Sequence, residues 1–152
     1  MIDTDIHVRI YTWPGHPAPV YKTALAAGAD AHARLSRDVV LRPGDRYLFP
    51  LGFAVELPEG WELQVRPRSG LAHSHGIAMV NAPGTVDGDY RGEVCANLIN
   101  CGATAWHVAP GDRIAQVVLA PVRQASWQRV ERLEDLSPTA RGTGGHGSTG
   151  VR

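Results

Sequence analysis

The chain has 152 residues, 43% of them apolar and 20% charged, with 15 lysines and arginines set against 15 aspartates and glutamates. Such a length and composition suit one globular domain with a real core. A formal net charge of zero leaves no basic field for a nucleic-acid polymer, although a few local groups can still hold one small anion.

The N-terminal "MIDTDIHVRIYTW" lacks the charged and apolar regions of a signal peptide, and no apolar run reaches membrane-spanning length. The expectation is a cytoplasmic protein without a membrane partner. In "AAGADAHA" (26–33), Asp30 stands among small residues. "RPGDR" (42–46) and "APGDR" (109–113) carry one tight-turn signal, with Pro presetting φ and Gly accepting positive φ. "FAVEL" (53–57) and "WELQVR" (61–66) alternate or run apolar at strand length, as do "EVCANLIN" (93–100) and "WHV" (106–108). "RIAQVVLAPV" (113–122) and "WQRVERL" (127–133) follow the same pattern. The longest helical candidate is the short "SGLAHSHG" (69–76), with Gly76 as its C-cap. Many short strands and one small helix predict an all-β fold: a sandwich, jelly roll or distorted barrel. Cys95 and Cys101 have no metal-type spacing, and within one extended segment they lie too far apart to bridge.

Three segments carry candidate chemistry in the body of the chain. In "RPRSGLA" (66–72), Arg68 precedes Ser69 and Gly70 at the start of the helix. Ser69 reads as an N-cap, the commoner role for serine there, or as part of an anion site built on helix N–H groups and an adjacent arginine. In "NAPGTVDGDYRGEV" (81–94), Gly84–Gly88 reads as a hairpin turn, with Asp87-Gly88 as its turn dipeptide. The functional reading turns that hairpin's backbone N–H and C=O groups toward a flat base, with Asp87 at the reacting end and Tyr90 against a sugar. In "GDRIAQ" (111–116), Gln116 sits within an apolar strand, where its amide must find partners. "HSH" (73–75) reads as a solvated helix face, and the four tryptophans read as core or subunit-contact residues.

From Pro121 onward the chain becomes more polar, and after Pro138 it turns glycine-rich, as expected of an arm leaving a body that spans 1–138. The tail, 139–152, contains "RGTGGHGSTG" (141–150). Its glycines suit a flexible linker. They also suit a segment ordered by ligand, in which N–H groups and the Arg141, Ser148 and Thr149 donors surround phosphate oxygens.

Five segments in this order, "AGADAHA", "RPRSGLA", "NAPGTVDGDYRGEV", "GDRIAQ" and "RGTGGHGSTG", resemble the five motifs of the homotrimeric dUTP pyrophosphatase (dUTPase) family. The resemblance covers nearly the whole chain. It departs at Ala31, where the family has leucine after the aspartate, and at His146, where the tail has phenylalanine. An imidazole can stack on uracil as well, and it titrates near neutrality.

The resemblance implies a distorted jelly roll or β-barrel with one short helix, its C-terminal arm exchanged between subunits of a homotrimer. It implies cleavage of dUTP to dUMP and pyrophosphate, which keeps uracil out of DNA and supplies dUMP for dTMP synthesis. Asp87 matches the carboxylate that activates the attacking water, and Ser69 the hydroxyl on the leaving group's bridging oxygen. Arg68, Gly70 and Gln116 match phosphate contacts, and Asp30 matches a carboxylate that meets Mg²⁺ through water only. Asn81 and the backbone of Gly84, Thr85 and Val86 match the uracil-reading wall, with Tyr90 excluding a 2′-hydroxyl. Arg141, His146, Gly147, Ser148 and Thr149 match a lid over base and γ-phosphate. Two alternatives remain on the same fold: a nucleotide-gated regulatory protein, and a dCTP deaminase. The deaminase needs a carboxylate where this chain has Asn97.

Overall fold

The computed structural model describes residues 6–145. The first strands are short: β1 (Arg9–Thr12) and β2 (Val20–Tyr21) lie at the surface, whereas β3 (Ala29–His32) buries Ala29 and Ala31. Alternation therefore directs Asp30 and His32 to the opposite face of β3. Next come β4 (Val39–Leu41), β5 (Arg46–Pro50), β6 (Phe53–Glu56) and β7 (Trp61–Pro67). The helix α1 (Ser69–His75) ends at Gly76, whose φ of 70° admits the left-handed cap and whose N–H donates to Ala72 O at 3.0 Å. The remaining strands are β8 (Ile77–Met79), β9 (Gly84–Val86), β10 (Cys95–Asn100), β11 (Trp106–Val108) and β12 (Arg113–Pro121).

The two PGD turns close in the same way. Asp45 accepts the Arg42 N–H at 2.9 Å, and Asp112 accepts the Ala109 N–H at 2.8 Å. Gly44 and Gly111 supply φ of 85° and 84° at the corners.

Among the described residues the strands form a five-stranded sheet, β2-β3-β12-β7-β9, a three-stranded sheet, β5-β10-β8, and the pairs β1-β6 and β11-β4. All pairings are antiparallel. The sheets bury Phe49, Leu51, Phe53, Val65, Ile77, Leu98 and Ile114 between them. Asn100 is buried among these apolar side chains, and its amide is satisfied by Leu41 O, Thr104 O and Gly102 N–H at 2.8–2.9 Å. Trp106 is buried against Phe49, with ring centroids 6.2 Å apart.

The all-β reading with one helix holds, and α1 with its glycine cap lies where the sequence predicts. Three expectations change. No sheet closes on itself, so the barrel alternative is excluded among the described residues. "WQRVERL" is not a strand: residues 127–130 are unpaired, and Trp127 is 91% exposed. Its apolar residues, Trp127, Val130 and Leu133, recur every third position rather than every second, which lines no single face of a strand, and Leu133 opens a short 3-10 turn, Leu133–Asp135. Finally, Gly84–Val86 is a strand rather than part of a hairpin turn; it pairs with β7 through Gly84↔Val65, Thr85↔Gln64 and Val86↔Leu63. Only Asp87–Tyr90 turns, with Tyr90 N–H donating to Asp87 O at 3.1 Å.

Candidate active site

β9 is the edge of the five-stranded sheet. One row of its backbone N–H and C=O groups therefore lies outside the sheet pairing. Asn81, Gly84, Thr85, Val86, Asp87 and Tyr90 line one cavity of about 280 Å³ beside this edge. Buried Gly84 and Val86 anchor the strand, and exposed Asp87 stands at its end. The Tyr90 ring folds back so that its hydroxyl donates to Glu93 O at 3.0 Å. A Cβ on Gly92 would run into that ring, so the posture requires glycine there.

Asp87 also borders a larger cleft on the other side, lined by Glu59, Glu62 and Asp89. Four carboxylates against the one cation that also lines this cleft, Arg123, leave it net acidic and repel a polyphosphate. The charge of a nucleotide in the smaller cavity must extend elsewhere.

The cationic groups gather one and two strands away: on β7, at its end, and on β12. Asp30 on β3 stands opposite Gln116 on β12, and Gln116 in turn opposes Arg66 on β7. The Asp30 carboxylate, 14% exposed, meets Arg68 Nε at 3.2 Å and the Arg113 guanidinium at 3.0 Å. Arg68 also donates to Arg113 O at 2.9 Å, and the Gln116 amide donates to Pro67 O at 2.9 Å. A β-bulge makes this cluster. Arg113 opposes His32 and Ala115 opposes Ala31, leaving Ile114 as the extra residue. Three residues apart on a regular strand, Arg113 and Gln116 would face opposite sides; the bulge returns both to the face of Asp30.

Ser69 is the first helical residue and is exposed. The cap position belongs to Arg68, with no side-chain cap bond, so Ser69 does not serve as the N-cap. Gly70, also exposed, has open space where a Cβ would be.

These two groups are not together within one chain. Asp87 follows Val86, which opposes Leu63, so it lies level with Glu62; Ser69 lies beyond Pro67 at the other end of β7. At ~3.3 Å per residue, the Glu62 and Pro67 levels are about 17 Å apart. Arg141 belongs to neither group: its Nε donates to Gly144 O at 2.8 Å within its own turn. His146, Gly147, Ser148 and Thr149 lie outside the described residues.

Sequence reasoning missed two participants. Arg113 was hidden because the bulge that aims it at Asp30 has no signature in "GDRIAQ". Glu93 was hidden because its partner Arg34 is 59 residues away: the guanidinium grips both carboxylate oxygens at 2.6 Å. That pairing, helped by the Gly52 N–H, holds the Glu93 carboxyl below the usual carboxylate range against the opposing effect of burial. Burial, with His16 nearby, lowers the affinity of His32 for a proton. Burial pushes the Cys95 thiol up.

The dUTPase family model matches residues 16–150. The chain belongs to the dUTPase family. The deoxyuridine 5'-triphosphate nucleotidohydrolase of Desulfotalea psychrophila is 57% identical over 133 residues, covering 88% of this chain and 87% of the relative. That of Caulobacter vibrioides is 51% identical over 155 residues, covering 99% and 98%. Among solved structures, the G164S mutant of the Staphylococcus bacteriophage 80alpha dUTPase with dUpNHpp superposes with a TM-score of 0.83 at 22% identity, covering 95% of this chain and 99% of that one. The dUTPase of phage phi11 of S. aureus, in which a structural Mg(II) ion is coordinated, gives 0.74 at 20% identity, covering 84% and 99%. These likenesses establish the jelly-roll fold. Among the described residues, no helix is long and apolar enough to cross a membrane.

Proposed function

We propose that the protein hydrolyses dUTP to dUMP and pyrophosphate, with sites shared between the subunits of a homotrimer. The observation that carries this reading is the edge strand β9, whose free backbone row borders a base-sized cavity with Asp87 at its rim. Asn81 and the backbone of Gly84, Thr85 and Val86 present fixed donors and acceptors to the uracil edge. A strand this close leaves no room for a thymine methyl, and its donor order is wrong for cytosine. The ring of Tyr90 covers the sugar where a 2′-hydroxyl would project.

In the reaction Asp87 takes a proton from water, and the water oxygen bonds to the α-phosphorus. The α-phosphorus bond to the bridging oxygen breaks, and pyrophosphate leaves. Arg68, Ser69, Gly70 and Gln116 hold the departing charge. The span from the Asp87 level to the end of β7, ~17 Å with Ser69 beyond it, is too long for one triphosphate, so these groups come from an adjacent copy. The unpaired arm after Pro121, with Trp127, Leu133 and Leu136 exposed, is the segment suited to reach a neighbour. Arg141, His146, Gly147, Ser148 and Thr149 then close the site as a lid, within a tail that begins at 139.

The residues present also fit Mg²⁺ bound in its usual hydrated form. Among the described residues no three His, Cys, Asp or Glu side chains gather as a cage. Asp30 gives one acceptor site on each oxygen to an arginine and keeps others for water. A bound Mg²⁺ would neutralise phosphate charge. Deamination of dCTP is not favoured, because Asn97 on β10 offers an amide where that reaction needs a carboxylate. Pyrophosphate release assayed with dUTP, dCTP, dTTP and UTP tests the reading. Turnover of dUTP alone is expected; equal kcat/KM for UTP and dUTP, or ammonia release from dCTP, would overturn it.

A further inference from the structure

On the phosphate side one side chain reaches beyond its own strand. Gln116 on β12 opposes Asp30 on β3 and Arg66 on β7. Its Nε2 donates to Pro67 O at 2.9 Å. A carbonyl oxygen only accepts, so this bond decides which end of the amide is the nitrogen. Nε2 carries two N–H groups, and Pro67 takes one of them. The other end of the amide, Oε1, comes up against Gly28.

Gly28 immediately precedes β3 and stands two residues before Asp30. Continuing the alternation of β3, a side chain at 28 would lie on the Asp30 face, diagonal to Gln116. A Cβ built on Gly28 would fall well inside contact distance of Gln116 Oε1 and 3.2 Å from its Cδ. The three nearest atoms all belong to that one side chain. Gly28 does not share the positive φ of Gly44 and Gly111, so its backbone does not call for glycine. What uses the missing Cβ is the Gln116 amide, seated between the Pro67 carbonyl and the space that a side chain at 28 would fill.

We propose that Gly28 is a positioning residue for the reaction: by leaving out a Cβ it seats the Gln116 amide, so that one N–H rests on Pro67 O and the other is held for the departing pyrophosphate. The inference rests on the reading of Gln116 as a phosphate contact. A methyl added at 28 displaces the amide and so takes a polar contact away. Oε1 is the free end of a flexible side chain and can yield without disturbing the sheet. The cost therefore falls on turnover and not on folding.

The test compares Gly28→Ala, Gln116→Ala and the double variant by pyrophosphate release from dUTP, affinity for dUMP, and Tm. Gln116→Ala should lower kcat/KM for dUTP about ten- to a hundredfold, the worth of one hydrogen bond to a charged group. Gly28→Ala should lower it about three- to thirtyfold, part of that worth. The loss should appear in kcat, because the charge on the leaving group develops in the transition state. Neither the Tm nor the dUMP affinity of Gly28→Ala should fall, since the methyl meets no rigid neighbour and dUMP lacks the pyrophosphate. The double variant should be no worse than Gln116→Ala, because the methyl then has no amide to displace. Wild-type kcat/KM in Gly28→Ala beside an impaired Gln116→Ala would overturn the positioning role. So would losses that multiply in the double variant, an equal loss of dUMP affinity, or a drop in Tm that Gln116→Ala does not relieve. Wild-type kcat/KM in Gln116→Ala would remove the phosphate reading, and this inference with it.

Discussion

The base side and the phosphate side of the site are built by opposite means. The base side is contiguous in sequence, 81–93, and is shaped by backbone: an edge strand, a turn, and a ring folded over Gly92. The phosphate side draws on β3, β12 and the β7–α1 junction, and is held by charge, with Asp30 gripping Arg68 and Arg113. On the proposed function, one half recognises by shape and is intolerant of added atoms, and the other recognises by charge and is intolerant of lost ones.

That contrast breaks most sharply at Asp87, the point where the two halves would meet. Asp87→Asn keeps the shape and removes the proton acceptor, so kcat should fall by about 10²–10⁴ with KM for dUTP little changed. More than about a tenth of wild-type kcat would remove Asp87 as the base. Mixing sharpens the point. Asp87→Asn refolded with an equal amount of the weakened Arg68→Ala should rise to about a quarter of wild-type kcat/KM, above either variant alone, because a site between two copies can draw its intact halves from different chains. No recovery in mixed particles of about three times 16.4 kDa, measured by light scattering, would refute site sharing.

On the phosphate side, Arg68→Ala removes a charge-assisted contact and should lower kcat/KM for dUTP about ten- to a hundredfold. Asp30→Asn should act more weakly, because both arginines remain but lose their common anchor. An effect of Asp30→Asn as large as that of Arg68→Ala would mean that Asp30 meets the ligand directly.

The same contrast explains what could be read from the sequence. The base side was legible because it is local: Asp87, Tyr90 and the glycines occur in one run with turn chemistry of its own. The wall was nonetheless misread as a hairpin, since nothing in "GTV" says that it pairs with β7 from outside the turn. On the phosphate side Arg68, Ser69 and Gln116 were recognisable in their motifs. Arg113 needed the bulge at Ile114, and the Arg34–Glu93 pair needed the tertiary fold. "WQRVERL" failed as a strand because Trp127, Val130 and Leu133 recur with a spacing of three, not two, and so share no face of a strand.

The smallest expected effect concerns stability, and it separates the Arg34–Glu93 pair from the half-buried His32. Glu93 is faced by Arg34, the Gly52 N–H, His16 and Cys95, and its folded carboxyl lies below the ordinary 4.5. A carboxyl depressed in the folded state contributes stability that is fully present above the unfolded value and is lost as pH falls through the folded one. The Tm advantage of wild type over Glu93→Gln should therefore be constant near neutrality and shrink only below about pH 4.5. His32 is kept neutral by burial, so it loses stability as pH falls from its ordinary 6.5 through its lower folded value. That loss begins at higher pH and is common to both proteins, so it should cancel in the difference. A Tm difference that already shrinks between pH 7 and 6 would mean that the Arg34–Glu93 pair does not stabilise the fold through the Glu93 charge.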